Sequence, residues 1–124
     1  MSLTITAALA TAHRLRTVSD SWRLETEILL AAALDKQRDY LYTWPETELS
    51  HEQVQNFEQT MKRRGQGEPI SYLLGKQEFW DIELLVNKDV LIPRPETELL
   101  VESAIALYKD RAAESLRVAD LGTG

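Results

Sequence analysis

The run Ser50-His51-Glu52-Gln53-Val54-Gln55-Asn56-Phe57-Glu58-Gln59-Thr60-Met61-Lys62-Arg63-Arg64-Gly65-Gln66-Gly67 carries all the signals of one helix. Ser50 with Gln53 three residues later forms a capping box, in which each side chain satisfies a backbone N–H that the first turn leaves free. Val54, Phe57 and Met61 recur at helical spacing and mark the buried face. Lys62, Arg63 and Arg64 place positive charge in the last turn, where the helix dipole favours it. They read as a solvated helix end, with contact to an acidic partner as the sharper alternative. Gly65 and Gly67 are C-terminal stop signals.

Working towards the N-terminus, further helices follow the same logic. Trp22 to Leu34 predicts a helix, preceded by Val18-Ser19-Asp20-Ser21, a cluster of good N-cap residues. Its apolar side reads as Leu24, Ile28, Leu29, Ala32 and Ala33, and Glu25 and Glu27 lie near its start, where the dipole favours negative charge. Ile5, Ala8, Leu9, Ala12 and Leu15 predict a first helix over Thr4 to Thr17, capped by Thr4 or Ser2. A short helix over Asp39 to Thr43 stops at Trp44-Pro45, because a residue before proline is pushed out of the helical region.

Towards the C-terminus the pattern changes. Glu68-Pro69 leads into a helical turn, Ile70 to Leu74, closed by Gly75. Gln77 to Val86 is rich in aromatic and branched residues and predicts a β-hairpin turning around Asp81. Leu91 to Pro95 is extended, since each proline restricts its predecessor. Pro95, Glu96 and Glu98 then open a helix that continues through Leu99, Leu100, Ala104 and Leu107 to about Arg111. Leu116 to Leu121 predicts a buried strand ending in Gly122-Thr123-Gly124. A lone strand with unpaired edges is an odd end for a domain and reads as a domain interrupted.

Composition narrows the function classes. The 124 residues carry a net charge of -6, which argues against a surface dedicated to nucleic acid. The chain has no cysteine, so disulfides, thiolate metal sites and thiol nucleophiles are absent. The two histidines, His13 and His51, are far apart and read as helix-surface residues, not metal ligands. No apolar run approaches a membrane span, and no signal peptide is visible. Trp22, Trp44 and Trp80 read as packing anchors, with Trp44 partly exposed.

Three motifs bear on chemistry. Gly67-Glu68-Pro69-Ile70-Ser71-Tyr72-Leu73-Leu74-Gly75 is followed by Glu78-Phe79-Trp80. Leu91-Ile92-Pro93-Arg94-Pro95-Glu96-Thr97-Glu98 holds an arginine on a stiff backbone between two prolines. Val118-Ala119-Asp120-Leu121-Gly122-Thr123-Gly124 is a strand, an acidic residue and a glycine loop, the opening of a nucleotide-type site where backbone approaches a ligand closely. Taken singly, each has a plain structural explanation: a turn with an aromatic-packed hairpin, a linker with a helix start, and a strand with a tail.

In this order and spacing, the motifs resemble the HemK/PrmC family of protein glutamine methyltransferases. The resemblance covers Gly67 to Gly124 and extends weakly into Arg23, Glu25 and Glu27-Ile28-Leu29-Leu30. It implies a mainly α fold: a helical bundle over residues 1–75 that docks a peptide chain release factor, and a β-hairpin linker over 76–92. Residues 93–124 would then be the helix and first strand of an interrupted Rossmann-like α/β domain that binds S-adenosylmethionine (AdoMet). The activity implied is methyl transfer from AdoMet to the glutamine amide of the factor's Gly-Gly-Gln motif, a cytoplasmic step of translation termination. Asp120, Gly122, Thr123 and Gly124 match the cofactor loop, and Arg94, Pro95, Glu96, Thr97 and Glu98 match a segment near the active site. No metal and no membrane or direct nucleic-acid partner is expected, and the chain is expected to be a monomer.

An amide nitrogen is a poor nucleophile, because its lone pair is delocalised into the carbonyl. The family holds it with an Asn-Pro-Pro-Tyr motif. The only asparagines here, Asn56 and Asn87, are not followed by proline. No catalytic residue is therefore expected in this chain, which would be inactive alone and bind AdoMet weakly or not at all. Two alternatives stand beside this reading. One is a standalone helical protein-interaction module; the other is a sister methyltransferase acting on a ribosomal protein glutamine, with Ala7 to Thr60 as the docking surface that would decide.

Overall fold

The computed structural model describes residues 3–111 and 113–121. Helices α1 (Ile5–Leu9), α2 (Trp22–Leu34), α3 (Arg38–Thr43), α4 (His51–Gly65) and α5 (Ile70–Leu74) precede a hairpin of β1 (Lys76–Phe79) and β2 (Ile82–Leu85). Helix α6 (Pro95–Tyr108) follows. The fold is mainly α, as the sequence predicts.

The capping box of α4 is present in full: the Gln53 N–H donates to Ser50 Oγ at 3.2 Å and the Ser50 N–H donates to Gln53 Oε1 at 2.8 Å. Phe57 and Met61 are buried, and with Ile5, Leu15, Leu29, Leu30 and Leu41 they form the centre of one core. The N-terminal segment closes this core. Thr4 caps α1 by accepting from the Ala7 N–H at 3.1 Å. The next donors, the N–H groups of Ile5 and Thr6, reach the carbonyls of Thr47 and Pro45, both at 3.0 Å. The α3–α4 loop thus satisfies amides that the start of any helix leaves free.

Three expectations are corrected. The first helix is not continuous to Thr17: α1 stops at Leu9, and a 3-10 turn over Ala12–Leu15 follows. At the break the Thr11 hydroxyl donates to the Ala8 carbonyl at 2.6 Å, a local bond that competes with the helical ladder. In α2 the buried side is Thr26, Leu29, Leu30, Ala31 and Leu34; Leu24 and Ala32 are exposed. That helix is apolar on nearly every side, so spacing alone picked a face rotated from the buried one. Thr26 is tolerated inside because its hydroxyl donates to the Trp22 carbonyl at 2.8 Å.

The third correction concerns Leu116 to Leu121. It forms no strand, and Val118 is exposed. A strand is defined by its hydrogen-bonded neighbour, and among the described residues none lies beside this segment. The remaining boundaries agree closely with expectation. The hairpin turns at Trp80-Asp81, with Phe79 opposite Ile82, and α3 begins one residue early, at Arg38. Helix α6 begins at Pro95 but buries none of its residues; Leu99, Leu100 and Leu107 are exposed.

Phe57→Ala is expected to destabilise the chain by about 3–5 kcal/mol in urea titration, the usual cost of emptying a buried aromatic site. Leu100→Ala is expected to change stability by no more than about 0.5 kcal/mol, as for other exposed positions.

Candidate functional site

The exit of α4 is where the first two motif segments are tied to the bundle and to the proline-rich segment. Two consecutive arginines in the last turn of α4 diverge. Arg64 Nε donates to Glu25 Oε1 on α2 at 2.6 Å, and both side chains are largely covered. Ser19 donates to the other oxygen of that carboxylate at 2.6 Å. Arg63 forks onto Glu68 of the first motif, with Nε at 2.6 Å from Oε2. The reading of this helix end as solvated is therefore corrected for Arg64, which is largely covered; Arg63 is paired but remains open to solvent, and Lys62 is exposed. The paired guanidinium holds the Glu68 carboxyl below its ordinary value of 4.5, and the carboxylate raises Arg63 in return. Between them Gly67 adopts φ +100°, a conformation that suits glycine.

From Glu68 the chain enters α5, which ends at Gly75 in the left-handed region. The Ser71 hydroxyl donates to Gln77 Oε1, tying α5 to β1. The Tyr72 hydroxyl donates to the Val90 carbonyl at 2.6 Å and holds the start of the proline-rich segment against α5. Pro69, Tyr72, Gln77, Leu91, Pro93 and Arg94 line an open depression of about 410 Å³.

The hairpin tip is tied down as well. Trp80 has φ +56°, a rare state for a bulky side chain at the first position of a two-residue turn. Its N–H donates to Glu98 Oε1 at 2.8 Å. Glu98 is thus more than a dipole partner: it accepts the one backbone donor of a strained residue. Sequence reading missed this bond, and the closeness of two motifs in the chain was the only available hint.

The other expected site residues fall as follows. Arg94 is the N-cap of α6 and its carbonyl accepts from the Thr97 N–H at 3.0 Å. Pro95 occupies the first turn, and Glu96 and Thr97 are exposed. Asp120 is exposed and belongs to no helix or strand. Gly122, Thr123 and Gly124 lie outside the described residues. The described residues do not bring Asp120 to the depression lined by Arg94, and they form no group of three or more metal-ligating side chains.

Residues 7–75 match the PrmC N-terminal domain family. Among similar proteins is the release factor glutamine methyltransferase of Shewanella oneidensis, 50% identical over 106 residues, covering 86% of this chain and 36% of the relative. The enzyme of that name from Coxiella burnetii is 50% identical over 113 residues, covering 90% and 40%. That from Aliivibrio fischeri is 45% identical over 126 residues, covering 100% and 43%. The chain spans about two fifths of the length of these relatives.

Two outcomes are expected at this junction. Because the Glu68 carboxyl is lowered in the folded chain, its contribution to stability is complete above the ordinary value of 4.5 and is lost as pH falls through the folded value. The melting-temperature gap between wild type and Glu68→Gln should therefore shrink as pH is lowered from 6 towards 3. Glu98→Ala should speed hydrogen exchange of the Trp80 amide by at least about tenfold, whereas Glu98→Gln, which keeps the acceptor, should stay near wild type.

Proposed function

The chain belongs to the PrmC N-terminal domain family, and on that premise we propose that it is the substrate-docking part of a release factor glutamine methyltransferase. The observation that carries this reading is the match over residues 7–75, which spans the bundle and ends where α5 closes at Gly75. In this reading residues 1–75 dock the release factor, 76–92 are the hairpin linker, and 93–124 open the methyl-transfer domain. The whole enzyme would move a methyl group from AdoMet to the glutamine side-chain nitrogen of the factor's Gly-Gly-Gln motif.

The chemistry explains why docking matters. An amide nitrogen is a weak nucleophile, and holding it in line with its electrophile can remove a large part of the barrier. A bundle that fixes the large partner, through a linker tied by Tyr72 and Glu98, supports that alignment. Arg94, Pro95, Glu96, Thr97 and Glu98 are assigned a supporting place beside the active site.

AdoMet, when bound, supplies the methyl group. Asp120, Gly122, Thr123 and Gly124 are assigned to its loop. The fit is poor in the described part of that loop: Asp120 and Leu121 are exposed, with no enclosing wall of described residues. No step of methyl transfer is assigned to this chain, which has no Asn-Pro-Pro-Tyr sequence. It is proposed to be inactive alone, monomeric and cytoplasmic, without direct nucleic-acid contact. Among the described residues no helix is long and apolar enough to cross a membrane.

Calorimetric titration of the chain with a purified bacterial release factor, and separately with AdoMet, checks this reading. Saturable binding of the factor with no measurable heat from AdoMet is expected. Tight AdoMet binding without factor binding would overturn it.

A further inference from the structure

We infer that the bundle takes its partner through a groove between α1, the 3-10 turn, the start of α2 and α3, and that the occupant is an acidic protein segment presenting a large apolar side chain. This inference rests on the docking reading and names the surface and the chemistry of contact. The groove has a volume of about 400 Å³ and is mainly apolar. Leu9, Ala12 and Trp22 line it, Ala10 is exposed at its lip, and His13, Arg23, Glu27 and Tyr42 bring its polar groups.

The charge of that edge decides the occupant. The Glu27 carboxylate is already used: the Tyr42 hydroxyl donates to it, and Arg38 lies 3.7 Å away. Arg23 lies with its guanidinium 4.6 Å from the centre of the Trp22 ring, and among the described ion pairs it has no carboxylate. The spare charge of the groove is therefore positive, on a chain whose net charge is -6. A stacked, uncompensated arginine beside an apolar floor suits a carboxylate next to an apolar anchor. Tryptophan, tyrosine and arginine are also the residues that most often dominate protein interfaces.

The groove is preformed. Ala12 is buried, Trp22 packs partly on the core, and Tyr42 is held through Glu27, so little ordering remains for binding to oppose. The groove shares the start of α2 with the exit of α4, because Glu25, which Arg64 reaches, lies between the lining residues Arg23 and Glu27. The other end of α2, at Ala31, Ala32 and Asp35, shares a separate depression with Leu74 and Lys76 beside the hairpin. At 1.5 Å per residue the two ends are about 15–20 Å apart. The groove is thus separated along α2 from the base of the hairpin, and the contact is one of docking, not recognition of the reacting side chain.

The test is calorimetric titration of the full chain with a purified release factor, for wild type and for Arg23→Glu, Ala10→Glu and Arg16→Glu. Arg16 is exposed, is absent from the groove lining, and gives the same change in net charge as Arg23→Glu. Arg23→Glu and Ala10→Glu should each weaken binding at least about tenfold, with unchanged melting, and Arg16→Glu by less than about twofold. Wild-type affinity should fall as salt is raised, and less steeply in Arg23→Glu. If wild type binds and both groove variants bind equally well, the groove is wrong while the docking reading stands. If Arg16→Glu is as weak as Arg23→Glu, the effect belongs to overall charge and the groove is again wrong. If wild type itself does not bind, the docking reading fails and takes the groove with it.

Discussion

Arg64 is the joint on which this arrangement depends. Its guanidinium leaves the last turn of α4, crosses to Glu25 at the start of α2, and also donates to the Glu68 carbonyl at 3.3 Å. One planar side chain therefore connects the two longest helices of the bundle to the segment that leaves it. Both side chains are largely covered, so loss of either partner would leave the other charge partly buried and unpaired. Arginine suits the role better than lysine, because its rigid fork serves a carboxylate and a carbonyl at once.

The rest follows in sequence from that joint. With Arg64 turned towards α2, the adjacent Arg63 reaches forward to Glu68, which sets the turn at Gly67 and the entry to α5. Helix α5 then positions β1 through Ser71 and the proline-rich segment through Tyr72. A two-stranded hairpin is marginal alone. Here it is held at its base by α5, where the Val86 N–H donates to the Gly75 carbonyl at 3.0 Å, and at its tip by Glu98. The bundle thus offers a groove at the start of α2, and the motif segments are tied from that end, at Glu25, to the other, where Leu74 and Lys76 lie.

Much of this was legible in the residues, and the failures have physical causes. Local signals were reliable: the Ser50/Gln53 box, the glycine stop at Gly75, the turn at Asp81 and proline at the start of α6 depend only on neighbours in the chain. The buried face of α2 was misread because tertiary packing, not spacing, selects among its many apolar sides. The long first helix was misread because the local Thr11 hydroxyl bond at the break outweighs propensity. The strand at Leu116 to Leu121 needs a partner strand that no described residue supplies. Ion pairs such as Arg64–Glu25 join residues far apart in the chain, so composition suggested only a basic cluster. Of the candidate site, the grouping of Glu68, Tyr72, Gln77 and the proline-rich segment was anticipated only as motifs in order, never as bonds.

The helical bundle is the surface proposed to meet the release factor. Hydrogen–deuterium exchange of the chain, with and without a saturating release factor, addresses it most directly. The account requires slowed exchange in the peptides spanning Leu9–His13, Trp22–Glu27 and Arg38–Thr43, with the far end of α4 unchanged. Protection confined to residues beyond Gly75, with the bundle unaffected, would contradict it and move recognition out of the bundle.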